Sequence, residues 1–170
     1  GRAGTIKAYA DLQEQLAQQK NLVIVEGDRI NYKDYAIKII SPSLENLKSK
    51  ELNDTSIVAL LEAPNFSVLY TGDAGENIED QIRKKYQIQA DVLKVGHHGS
   101  RFSSSANFLA EVTPQIAVIG VGEKNRYGHP TPAALSRLRA VGSKIYRTDQ
   151  EGTIRLSVGG GRVAVGAIKN

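Results

Sequence analysis

The sequence contains no cysteine, no methionine and no tryptophan. Without thiols it has no disulfide and no thiolate metal ligand, so any bound metal must rest on histidine and carboxylate. An absence of cysteine is also compatible with an extracytoplasmic setting. No apolar run approaches the ~20 residues of a membrane-spanning helix. The longest, from Ile116 to Val121, suits a buried strand. No signal-peptide pattern is present. Proline is scarce, with five residues against 16 glycines, and 41% of the chain is hydrophobic, which excludes a disordered or fibrous protein. With no methionine, residue 1 is not read as a natural start, and a segment upstream is expected.

A chain of 170 residues is long enough for one globular domain with a real core. Twenty-two basic and 18 acidic residues leave a net charge of +4 and a pI near 9.3. Such a surface tolerates nucleic acid or phosphate without demanding either.

Apolar Ile6, Tyr9, Leu12 and Leu16 recur at helical spacing, predicting a helix over Thr5 to Lys20. Strands are expected at Leu22 to Val25, before the turn Gly27-Asp28, and at Tyr35 to Ile40. Ser43 to Asp54 reads as a polar loop or short helix. Ser56 to Leu61 and Phe66 to Tyr70 read as a hairpin turning at Ala63-Pro64-Asn65. Helices at Asn77 to Tyr86, Ala106 to Val112 and Pro132 to Val141 alternate with strands at Asp91 to Val95, Gln115 to Val121 and Ser143 to Arg147. A closing hairpin pairs Thr153 to Val158 with Arg162 to Ala167. Alternation of this kind implies an α/β layered architecture, and the antiparallel ends make the sheet mixed.

Three strands end in polar clusters. Phe66 to Tyr70 runs into Thr71-Gly72-Asp73, Asp91 to Val95 into Gly96-His97-His98-Gly99-Ser100, and Ile116 to Gly120 towards Asn125-Arg126-Tyr127-Gly128-His129-Pro130. Ligand sites in α/β sheets gather at the carboxyl ends of strands, and all three histidines fall there. Asp73 is either a cap on the following turn or a metal ligand. His97 and His98 are either a packing histidine beside a surface one, or a metal site whose flanking glycines let backbone approach a ligand. In extended backbone adjacent side chains diverge, so one of the two is expected to bind. His129 is either a loop residue before a helix start marked by Pro130-Thr131-Pro132, or a phosphate-binding or acid–base group. Arg126 beside it could clamp a phosphate oxygen. The serines at 100 and 103 to 105 read as a helix entry rather than a nucleophile.

Five segments in series carry a family resemblance: Asn53-Asp54-Thr55-Ser56-Ile57-Val58; Leu69-Tyr70-Thr71-Gly72-Asp73; Ala90-Asp91-Val92-Leu93-Lys94-Val95-Gly96-His97-His98-Gly99-Ser100; Asn125-Arg126-Tyr127-Gly128-His129-Pro130; and Tyr146-Arg147-Thr148-Asp149 with Gly152. In order and spacing they resemble the metallo-β-lactamase-like domain of ComEC, over roughly residues 20 to 158. The resemblance implies an αββα sandwich with mixed sheets, occupied by residues 1–170 as the C-terminal portion of one domain. It implies a one- or two-metal site of zinc or manganese at one sandwich edge. Asp73 would bridge the metals, and His97 or His98 would supply a further ligand. His129 would lie near the scissile phosphate, with Asn53 and Ser56 close by.

The activity implied is that of a metal-dependent hydrolase, a phosphodiesterase or DNase of natural competence acting on single-stranded DNA at the extracytoplasmic face of a membrane protein. Another phosphoester or ester, or a non-catalytic module that binds DNA or a partner, are the alternatives. The family's His-x-His-x-Asp-His motif is not in the sequence and is expected upstream of Gly1, so the binuclear site is expected only with that portion. The partners implied are DNA, the upstream portion, a membrane channel domain, and a second copy through strand exchange.

Overall fold

A computed structural model describes residues 7–19, 22–159 and 162–168. Seven strands form one sheet in simple sequence order: β1 (Arg29–Tyr32), β2 (Tyr35–Ser41), β3 (Val58–Ala63), β4 (Phe66–Tyr70), β5 (Val92–Lys94), β6 (Ile116–Ile119) and β7 (Lys144–Arg147). The first four are mutually antiparallel and the last four parallel. A separate two-stranded sheet pairs β8 (Thr153–Gly159) with β9 (Arg162–Ile168). The mixed α/β architecture is therefore as the sequence implies.

The parallel half is built from three crossovers. Helix α2 (Glu76–Lys85) links β4 to β5, α3 (Ala106–Val112) links β5 to β6, and α4 (Pro132–Ala140) links β6 to β7. All three lie on one face. Ile78 and Ile82 of α2, Phe108, Leu109 and Val112 of α3, and Leu138 of α4 pack on Leu69, Leu93, Ala117 and Ile119 in a single buried cluster. Same-face helices follow from strands added in one direction by crossovers of one hand. Each helix carries its own start signal. Ser105 and Thr131 accept hydrogen bonds from the backbone N–H of Phe108 and Ala134, and Pro132 opens α4. Acidic Glu76 and Glu79 in the first turn of α2 and Arg83, Lys84 and Lys85 in its last complement the helix dipole.

The opposite face is thinner. Phe66, Val68 and Val92 form a second buried cluster, covered by Leu156 and Val163 of the β8–β9 hairpin. Where β3 turns into β4, Pro64 presets its φ and Asn65 adopts φ of 67°, the residues a tight turn with one left-handed position requires.

The helix expected over Thr5 to Lys20 is α1 (Lys7–Ala17), with residues 5, 6 and 20 outside the described ones. The segment Leu22 to Val25 is not a strand. Leu22 and Val23 are exposed, and Val25 N–H donates to the Asp28 carboxylate instead of a neighbouring strand. The strand at this end is β1, made by pairing with β2 rather than by an apolar pattern of its own. Ser43 to Asp54 contains two short 3-10 turns, Asn46–Lys48 and Leu52–Thr55. No helix among the described residues is long and apolar enough to cross a membrane.

Candidate metal and phosphodiester site

Because β4, β5 and β6 are adjacent and parallel, the three loops after them leave the sheet on the same edge. Small residues let these loops close on one another. A Cβ at Gly72 would lie 3.0 Å from the Ile57 carbonyl, and one at Gly96 3.0 Å from Thr71 Oγ1. Gly99 has φ of +81°, and a Cβ there would come within 2.5 Å of Pro130. The loop bearing His97 and His98 thus lies directly on the loop bearing His129. Thr131 N–H fastens the contact by donating to Gly99 O at 2.9 Å.

His97 and His98 do not lie in extended backbone. Both are left-handed, with φ of 47° and 55°. Two consecutive non-glycine residues in that region are strained and persist only where the surroundings hold them. The loop that follows is held from two sides. Glu79, 1% exposed, accepts the backbone N–H groups of Ser104 and, at 2.8 Å, Ser105. Arg137 donates to the carbonyls of Ser104, Ser103 and Arg101 at 2.7 to 3.0 Å. Ser103 hydroxyl closes the loop onto Gly96 O at 2.9 Å. Neither Glu79 nor Arg137 stands out in sequence; the one hint is that Glu79 lies between Ile78 and Ile82 on the buried stripe of α2.

The two rings point to different neighbours. His98 Nδ1 lies 2.6 Å from Gly120 O. A carbonyl only accepts, so Nδ1 carries a proton, and in the neutral tautomer this leaves the lone pair on Nε2. That Nε2 is 3.7 Å from Asp73 Oδ1, with both side chains about half exposed. The Asp73 carboxylate therefore faces an imidazole, while its backbone N–H donates to Ser56 Oγ at 3.3 Å. His97 turns the other way. Its Nδ1 is 3.5 Å from Asn53 Nδ2, and its ring meets that of His129 edge-on at 5.7 Å between centroids.

His129 is oriented by Asn125, whose side chain accepts from His129 N–H and donates to His129 O, both at 2.8 Å. Its Nδ1 is buried with no hydrogen-bond partner among the described residues. Burial, followed by the nearness of His97 and His98, lowers its pKa below the usual 6.5, which favours the neutral ring at neutral pH. Tyr127 stacks beside it, with centroids 6.1 Å apart and planes at 19°. Arg126, in the same loop, is exposed. Lys94, at the end of β5, is half-buried and donates to Val95 O at 3.0 Å. Burial lowers its pKa, and the charge of Asp73 partly offsets this.

All five residues singled out in the sequence, Asp73, His97, His98, Arg126 and His129, thus lie on the three loops at this edge. Asp73 and His98 face one another, His97 and His129 form a second contact, and Arg126 is exposed on the β6 loop. Among the described residues no group of three or more histidines, aspartates or glutamates is placed to hold a metal ion. Asp73 and His98 are two side chains of a kind that can ligate a metal, not a complete set.

The fold matches two solved structures. A candidate metal-dependent hydrolase from Parabacteroides distasonis superposes with a TM-score of 0.50 at 13% identity, over 82% of this chain and 61% of that one. A variant of CmlA beta-hydroxylase superposes with a TM-score of 0.51 at 9% identity, over 81% of this chain and 34% of that one. The class is the metallo-β-lactamase-like α/β fold. No family model matches the chain. Among curated proteins it is 37% identical to ComE operon protein 3 of Bacillus subtilis over 145 residues, 83% of this chain and 18% of that protein. It is 40% identical to competence protein ComA of Neisseria gonorrhoeae over 118 residues, 68% of this chain and 17% of that protein. Recombination protein 2 of Haemophilus influenzae is 32% identical over 164 residues, 92% of this chain and 20% of that protein. The chain belongs to the metallo-β-lactamase-like domains of the ComEC family. It spans about a fifth of the length of these relatives.

Proposed function

We propose that the chain is the greater part of a metal-dependent phosphodiesterase domain that hydrolyses DNA during uptake, with its site at the carboxyl edge of β4, β5 and β6. The names of the competence relatives support the setting. The observation that carries the chemistry is the pairing of Asp73 Oδ1 with His98 Nε2 across 3.7 Å, with His98 Nδ1–H committed to Gly120 O. Metal–nitrogen and metal–oxygen bonds of about 2.0 to 2.2 Å put two ligands of one ion roughly 3 to 4 Å apart. A histidine that gives its second N–H to a backbone carbonyl has the orientation that metal ligation uses. The donor set is nitrogen and oxygen, which suits zinc or manganese. Asp73 and His98 therefore fit as part of the cradle, His98 is the ligand of its pair, and the remaining ligands come from an upstream portion of the domain.

A bound metal supplies a water of lowered pKa, near ~7, and neutralises charge on the phosphoryl oxygens. The chain's own residues do the rest. His129, whose backbone is held by Asn125 and whose lowered pKa favours the neutral ring, can accept or donate a hydrogen bond at the reacting phosphate. Arg126, exposed on the same loop, can grip a flanking phosphate. By the same likeness, the domain works beside a membrane channel at the extracytoplasmic face.

In the full-length protein with added manganese or zinc, His98→Ala and Asp73→Asn are expected to lower hydrolysis of single-stranded DNA at least ~100-fold, and His97→Ala less. Wild-type rates in both variants would overturn the proposal. The gathering of two ligand-type side chains, with no group of three among the described residues, favours a second reading, a non-catalytic module that keeps the fold. It predicts no metal-dependent hydrolysis by the wild-type protein.

A further inference from the structure

Next to the paired Asp73 and His98 a cleft of about 200 Å³ opens, lined by His98, Val121, Gly122, Asn125, Tyr127 and His129. One wall is apolar backbone and valine; the other is the nearly parallel pair of Tyr127 and His129 rings. Tyr127 is 84% exposed, so His129 covers little of the phenol ring and its remaining surface is free. A tyrosine held this open beside a cleft buries little area of its own, and its ring is available to a flat partner. The cationic side chains of Lys124 and Arg126 are exposed on the same loop, with Glu123 as the acidic neighbour. A flat platform with cations beside it is the chemistry that holds single-stranded nucleic acid, by base stacking and phosphate contact.

We propose that Tyr127 is the stacking platform for an unpaired nucleobase next to the scissile phosphate, with the base entering the cleft between Tyr127 and His98. The inference rests on the phosphodiesterase reading for the position of that phosphate, and it names a subsite within it. In the sequence the only hint of the platform is the short stretch Lys124-Asn125-Arg126-Tyr127, with no further aromatic residues in series. The platform exists because the β6 loop folds Tyr127 back over His129, and the His97-His98 turn lies against that loop. The platform selects single strands, since in a duplex the base faces are already covered by their neighbours.

The test is fluorescence anisotropy of labelled oligothymidylate, and of an abasic oligomer of the same length, titrated with the full-length protein in EDTA. Both probes carry the same phosphates, so their difference isolates the base. Wild type is expected to bind the thymidylate roughly 5- to 150-fold more tightly than the abasic oligomer. Tyr127→Ala should remove that preference, and Tyr127→Trp should retain it, which shows that loss in the alanine variant is loss of the ring. Equal binding of both oligomers by wild type, or a preference that survives Tyr127→Ala, would overturn the inference. Hydrolysis of bis(p-nitrophenyl) phosphate by the metal-loaded full-length protein reports separately on the phosphodiesterase reading. Its absence alongside a Tyr127-dependent preference would sink that reading and leave a base-binding cleft. Its presence without the preference would sink only the platform.

Discussion

The two halves of the main sheet differ in how they are covered and in what they do. The parallel half, β4 to β7, lies under three helices, and its central residues Leu69 and Leu93 are 0% exposed. The antiparallel half, β1 to β3, ends in an edge strand where Ile30 is 51% and Tyr32 67% exposed. Parallel strands send all their carboxyl ends to one edge, so residues from three loops meet there. Antiparallel strands alternate, so fewer of their ends reach that edge; Asn53 and Ser56, just before β3, are the contributions from this half. The chemistry-bearing side chains therefore belong to the half with the stronger core, where packing can hold the left-handed His97-His98 turn.

Changes of stability should follow the same division. Leu93→Ala in the parallel half should cost about 2 to 5 kcal/mol in denaturant unfolding, while Ile30→Ala at the edge should cost under about 1 kcal/mol. Similar losses at the two positions would erase the contrast. Arg137→Ala removes three hydrogen bonds to the loop that carries the histidine turn and should cost about 1.5 to 3 kcal/mol. Faster amide exchange should then be confined to residues 97–105 and their contacts, and exchange unchanged there would argue that the grip is redundant.

Glu79 sharpens the point through pH. Burial raises its pKa above the ordinary 4.5, outweighing the backbone N–H groups that favour the carboxylate. A raised folded-state value means its contribution is fully present below the unfolded pKa and is lost as pH rises through the folded one. Wild type should therefore gain stability relative to Glu79→Gln as pH falls from neutral to below 4.5. A difference that stays flat, or runs the other way, would show that Glu79 titrates normally. The smallest effect is expected in the antiparallel half, where Lys38 and Glu62 pair at 2.7 Å with both side chains more than a third exposed. A double-mutant cycle there should give about 0.2 to 1 kcal/mol, shrinking with added salt.

The same contrast governs what could be read from the sequence. Helix α3 was readable to its ends, because Ser105 caps it and its apolar residues repeat on one face. The three polar strand ends were legible because glycine and histidine interrupt strongly apolar runs. Leu22 to Val25 misled, since an apolar run makes a strand only where a neighbour offers backbone partners. Strand β1 was missed for the converse reason: its residues become a strand by pairing with β2. The two-sided grip on residues 101 to 105 joins residues from three separate elements and leaves no local signature. The backbone at His97 and His98 was expected to be extended, and the left-handed turn that separates the rings is set by packing against Gly72, Gly120 and Pro130 rather than by the pair itself. Asp73 read as a cap on the following turn or helix or as a ligand; α2 is capped at Gly75 without a side-chain bond, and Asp73 stands opposite His98 Nε2.

The central claim is that Asp73 and His98 are two ligands of one metal ion. Anomalous scattering from crystals of the full-length protein grown with manganese or zinc tests it most directly. The account predicts a peak bonded to Asp73 Oδ1 and His98 Nε2, with His98 Nδ1 still on Gly120 O and His97 unligated. A metal bound through His97 instead, or bound away from Asp73, would contradict it.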